Sequence, residues 1–161
     1  MVDEPDNRVD SAREQIGDAI SLFLKGHFVS ALTLAGAADE ILGKMLSHGG
    51  QQSFLDWKYS RVEPFLTWLH RMPPRREDFI RDENRALISV TQLVSTDTPS
   101  ITLDLEDAAH SMIVRALYNY DQLGLPRTAR MLEFENQLMI ELENQFYDDW
   151  VGPITYNNEA I

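Results

Sequence analysis

Two apolar stripes at helical spacing, separated by three residues, constrain this chain more than any other feature. Ile16, Ile20, Phe23 and Leu24 form the first stripe; Phe28, Leu32, Ala35, Ala38, Leu42 and Met45-Leu46 form the second. Each repeats every three to four residues, the signature of one buried helix face. Ser11 with Glu14 reads as a capping box opening the first helix, Lys25-Gly26 as its stop, and His48-Gly49-Gly50 as the end of the second. A connection so short leaves only an antiparallel hairpin of two long helices.

Inside the second stripe, Ala35-Gly36-Ala37-Ala38 spans a full helical turn of small side chains and is followed by Asp39-Glu40. Small residues let helix axes approach closer than the usual 8–10 Å or so. Gly36 costs about 1 kcal/mol relative to Ala in a helix interior, a cost that contact with a neighbouring helix, such as the Ala108/Ala109/Ala116 strip, would offset. The simplest expectation for Asp39 and Glu40 is a pair of solvated acids beside a packing notch, because acids are seldom buried unless paired. The alternative is that one of them caps, or pairs with an Arg across the bundle.

Further along, Gln51–Ser60 reads as a short helix or a packed loop, and Pro64 as the first turn of a helix ending near Met72 before Pro73-Pro74. A helix is expected from about Arg76 to Val94, a loop over Ser95–Ser100, and a short extended segment at Ile101–Leu103. Another helix opens at Asp104 and closes at Gly124. A last one opens at Pro126 and runs to about Tyr147. The expected organisation is a flexible tail over 1–9, one all-α bundle of about five main helices over 10–150, and an irregular tail over 151–161.

Composition narrows the chemistry. The 161 residues include no cysteine, which removes disulfides, thiolate metal sites and thiol nucleophiles. No run of about 18 apolar residues would span a bilayer, and the opening MVDEPDNRVD lacks the basic start and apolar core of a signal peptide. A cytoplasmic location, without membrane association, is the expectation. The formal net charge of −12 makes nucleic acid an unfavourable partner. Arg71, Arg75, Arg76, Arg81 and Arg85 are nevertheless clustered, with Glu77, Asp78, Asp82 and Glu83 placed to neutralise them on a solvated face.

A carboxylate-bridged metal bundle needs Glu-x-x-His on two helices; the nearest match is a single Asp107-x-x-His110, so no metal is expected. Neither a Gly-x-Ser-x-Gly elbow nor a glycine-rich phosphate loop occurs, and no cofactor is implied. Trp57, Trp68, Trp150, Phe54 and Phe65 are core residues or a stacking surface. A ligand pocket lined by Trp57, Trp68 and Tyr59 is one further reading.

The stretches GHFVSALTLAGAADEILGK and DLEDAAHSMIVRALYNYDQLG together resemble the HEPN-like superfamily of bacterial helical bundles. The resemblance implies about five helices, a homodimer, and a role in toxin–antitoxin or defence systems, often beside a nucleotidyltransferase partner. Active members of that superfamily are ribonucleases carrying Arg, four to six residues, then His. In this chain the corresponding helix reads RDENRALISVTQLVS. Arg85 stands at the Arg position with Asn84 adjoining and Arg81 nearby, but Val90, Thr91 and Gln92 occupy the positions where the His would fall. Without that imidazole, general acid–base cleavage loses a contribution of typically 10² to 10⁴ in rate. The expectation is a non-catalytic interaction or regulatory domain, with Arg81, Arg85, Asp39, Glu40, Trp57 and Trp68 as candidate contact residues. The alternatives are a divergent metal-independent ribonuclease, using Arg85, Arg81 and Asn84, and a small-ligand-binding bundle.

Overall fold

A computed structural model describes residues 5–91 and 104–151, with side chains described for 7–91 and 104–140. The expected loop at 95–100, the extended segment at 101–103 and the tail from 152 onward lie outside the described residues. All regular structure among the described residues is helical: α1 (Pro5–Phe23), α2 (Phe28–His48), α3 (Phe54–His70), α4 (Arg76–Glu83), α5 (Arg85–Thr91), α6 (Leu105–Gln122) and α7 (Ala129–Val151). The chain divides into two compact units, one ending at Arg127 and one beginning at Thr128. No described helix is long and apolar enough to cross a membrane.

The first unit is organised around α2, which packs on α1, on α6 and on α5. Its core is Ala12, Ile16, Ala19 and Ile20 from α1, Ala31, Leu32, Ala35, Ala38, Leu42 and Leu46 from α2, and Ala109, Met112, Ile113, Ala116, Leu117 and Tyr120 from α6. The α1–α2 reversal is closed as expected. His27 N–H donates to the Leu22 carbonyl (2.9 Å) and Gly26 N–H to that of Phe23 (2.9 Å), with Gly26 at φ 76°. That pair of bonds satisfies carbonyls the helix end leaves free, and the left-handed residue between them suits glycine. Asp104 caps α6, its carboxylate accepting from Glu106 N–H (3.0 Å) and Asp107 N–H (3.1 Å).

Several boundaries differ from the sequence reading. α1 begins at Pro5, not Ser11, and the Ser11 hydroxyl donates back to the Asn7 carbonyl (2.8 Å) inside the helix, so it caps nothing. Residues 54–70 form one helix through Pro64 instead of two pieces. Its start is held by Ser53, whose hydroxyl accepts from Asp56 N–H (3.3 Å) and donates to the Asp56 carboxylate (2.8 Å). The helix expected from Arg76 breaks at Asn84 into α4 and α5, giving seven described helices where about five main ones were expected. Pro126 does not open the last helix. Its carbonyl accepts from the Tyr120 hydroxyl (3.1 Å), and Arg127 folds back onto Asp121 (2.9 and 2.5 Å), so α7 starts only at Ala129. In the second unit, Thr128 Oγ1 accepts from Met131 N–H (3.4 Å) at the first turn of α7.

Gly36 has a different neighbour from the alanine strip of α6. A Cβ at this position would stand 2.6 Å and 2.8 Å from the two methyl carbons of Leu87 on α5. The thin turn of α2 therefore admits a leucine from the helix beyond the Asn84 break. Gly36→Ala should be destabilising by about 1 kcal/mol, the overpacking cost exceeding the helix-propensity gain. In a Leu87→Ala background the same change should turn stabilising, by up to about 1 kcal/mol. Denaturant unfolding of the four proteins in this cycle measures both signs.

Candidate functional site

Arg115 and Asn119 lie one helical turn apart on α6, so their side chains project from one face. That face is otherwise the apolar stripe Met112, Ala116 and Tyr120, and it meets α2 at Asp39. Arg115 Nη2 donates to Asp39 Oδ2 (2.5 Å), and Asn119 Nδ2 donates to Asp39 Oδ1 (2.8 Å). The same Nη2 donates to Asn84 Oδ1 at the α4–α5 break (2.7 Å), and Asn119 Oδ1 accepts from Phe54 N–H at the start of α3 (2.7 Å). Asp39, Arg115 and Asn119 are 7%, 5% and 1% exposed, so the ion pair is nearly closed to bulk water. Arg115 Nε is buried without a hydrogen-bond partner among the described residues.

Above this network opens a cleft of about 470 Å³ whose lining includes Asp39, Asn84, Arg115 and Asn119, with Glu40, Lys44, Asp56 and Arg76. Lys44 is bonded to Glu40 (2.6 Å) and Arg76 to Asp56. Burial pushes the Asp56 carboxyl up, but hydrogen bonds from Arg76 and Ser53, with the charge of Arg76, outweigh it and hold the group below the ordinary carboxylate value. A second cavity, of about 320 Å³, borders Arg115 along with Lys58, Glu83, His110 and Ser111.

The residues singled out by the sequence separate into two sets. Asp39 and Asn84 belong to the buried network, and Glu40 to the rim of the cleft. The solvated-acid expectation holds for Glu40 and fails for Asp39, which takes the alternative of pairing across the bundle. Arg81 and Arg85 stay on the surface, each bonded to the acid three residues back: Arg81 to Asp78 (2.6 Å) within α4, and Arg85 to Asp82 (2.9 Å) across the Asn84 break. Arg76 and Glu83 do not join that local neutralisation. They bond α3 instead, at Asp56 and at Lys58 (2.7 Å).

Trp57 stacks with Phe54 and Tyr118 (ring centroids 5.7 and 5.8 Å), and Tyr59 donates to the Pro74 carbonyl (2.8 Å) and packs on Phe79. Trp68 is 75% exposed beside Phe65. Neither cleft is lined by these three residues. Arg115 and Asn119, the centre of the network, were not singled out. Their trace in the sequence is two polar residues at positions that continue the apolar register of α6.

Chemically the network is held by groups of the fold, with Arg115 Nε left without a partner among the described residues. Both carboxylate oxygens of Asp39 accept bonds, and the arginine that faces the interior is held by Asp39 and Asn84. None of the four histidines lies on α4 or α5: His27 precedes α2, His48 Nδ1 donates to the Lys44 carbonyl (2.7 Å), His70 ends α3, and His110 packs on Phe23 (5.9 Å). Among the described residues, no three His, Asp or Glu side chains converge in a way that could hold a metal ion.

Removing one partner of a buried ion pair strands the other charge. Asp39→Ala should therefore lower stability by about 3–5 kcal/mol, whereas Glu40→Ala, on the exposed side of the same turn, should stay within about 0.5 kcal/mol of the parent. Urea midpoints of the two variants make the comparison. No family model, curated protein or solved structure matches the chain.

Proposed function

We propose that the protein is a non-catalytic interaction and regulatory module of HEPN-like type, cytoplasmic and homodimeric, working alongside a protein partner such as a nucleotidyltransferase. One observation carries this reading. Arg85, at the position of the ribonucleases' arginine, is a surface residue bonded to Asp82 on a two-piece α4–α5 segment that contains no histidine. A phosphate-gripping arginine without a proton carrier on its helix would bind at most; it would not cut. The net charge of −12 adds a repulsion toward RNA. The interior guanidinium, Arg115, is held by groups of the fold itself.

A second reading, small-ligand binding, draws on the cleft beside Asp39. Its volume of about 470 Å³ lies in the range of ligand sites, and its rim offers both carboxylates and cations.

Purified protein incubated with structured and single-stranded RNA, without added metal, separates the leading reading from the ribonuclease alternative. The transcripts should remain intact, and Arg85→Ala should unfold within about 0.5 kcal/mol of the parent. Cleavage that disappears in Arg85→Ala would establish the ribonuclease instead.

A further inference from the structure

The apolar face of α3 outlasts the body that it packs on. Phe54 and Trp57, near its start, stack against Tyr118 of α6. The same helical face then continues through Phe65, Trp68 and Leu69, and Met72 follows just past the helix end; the four are 58%, 75%, 53% and 71% exposed. The two aromatic rings, 6.1 Å apart, together leave roughly 250 Å² in solvent. With Leu69 and Met72 the patch reaches the few hundred Å² at which exposed apolar surface marks a contact site. Arg61 precedes it by one helical turn and Arg71 and Arg75 follow in the connection to α4; all three are exposed, and among the described residues none of them bonds a carboxylate. Trp, Phe, Met and Arg are the residues that dominate interface centres.

Such a surface fits an apolar stripe edged with acids. It does not fit itself, because a two-fold axis through the patch would bring arginines together. Single-stranded nucleic acid would match the rings and arginines but would meet the −12 charge of the whole chain. The chain contains a matching element. On α7, Leu132, Met139 and Ile140 recur at one face and are 47%, 52% and 58% exposed. Glu133 and Glu135 flank that face, and from 133 to 149 the sequence holds six acids and no base.

We infer that the basic aromatic patch of α3 in one molecule receives the acidic helix α7 of a second copy of this chain. The contact rests on the homodimer reading above and gives it a surface. Apolar side chains supply the attraction, and the charge of Arg61, Arg71 and Arg75 against the acid-rich α7 selects the register.

Charge exchange tests it. Molar mass is measured by light scattering for the parent, Trp68→Ala, Arg71→Glu/Arg75→Glu, Glu133→Arg/Glu135→Arg and the four-fold combination, with circular dichroism to confirm helix content. The parent should be a dimer. Trp68→Ala and each charge-reversed pair should weaken it roughly thirtyfold or more, and the four-fold variant should dimerise again. A parent dimer that all these variants leave unchanged overturns the α3–α7 contact and leaves the homodimer reading standing. Failure of the four-fold variant to recover likewise overturns the contact. A monomeric parent overturns both, and in that case binding of single-stranded RNA or of an anionic vesicle through Trp68 would assign the patch to that occupant.

Discussion

One carboxylate organises the first unit. Asp39 accepts from Arg115 and Asn119 of α6, and those two side chains reach on to Asn84 and to the Phe54 amide. Four separate pieces of chain thus meet at a site nearly closed to water. Taking two ions out of water costs several kcal/mol each, and only good geometry with further hydrogen bonds offsets that. The geometry here demands that α2 and α6 lie close together. The small residues of α2 and the alanines of α6 permit it, and Gly36 admits Leu87 next to the Asn84 bond. The unusual run Ala35-Gly36-Ala37-Ala38-Asp39 is in this sense one device: a thin helix surface that lets the neighbours in, followed by the acid that fixes them.

This arrangement separates two kinds of arginine. Arg115 is spent on architecture, its Nη2 shared between a carboxylate and an amide oxygen. Arg81 and Arg85, where the HEPN-like resemblance would look for chemistry, make surface pairs with acids three residues back, of the sort worth little to stability. Arg61, Arg71 and Arg75 are left exposed near Phe65 and Trp68.

Features that depend on short-range physics were legible in the sequence. The α1–α2 hairpin followed from two stripes and Gly26, and the start of α6 from the Asp104 cap. Features decided by tertiary contact were not. Pro64 signals a helix start, yet α3 passes through it because Ser53 and the Phe54–Trp57–Tyr118 stack hold its first turns. Asn84 carries no strong breaker signal, yet its side chain accepts from Arg115 where α4 gives way to α5. The Ser11-x-x-Glu14 pattern matched a cap, but the helix had already begun at Pro5. Asp39 was readable only as one of two possibilities, since spacing tells which residues share a face and not which partner lies opposite. Arg115 and Asn119 could have been suspected from polar residues in a core register, although their partner could not.

The central claim is that the Asp39–Arg115–Asn119 network pins the start of α3 to the α2–α6 pair. Amide hydrogen exchange at Phe54, whose N–H donates to Asn119 Oδ1, addresses it most directly. An N–H at the beginning of a helix has no intrahelical acceptor and would otherwise exchange quickly. The account predicts slow exchange at Phe54 in the parent, comparable to core amides of α2, and fast exchange in Asn119→Ala while the α2 amides stay protected. Fast exchange at Phe54 in the parent protein would contradict it.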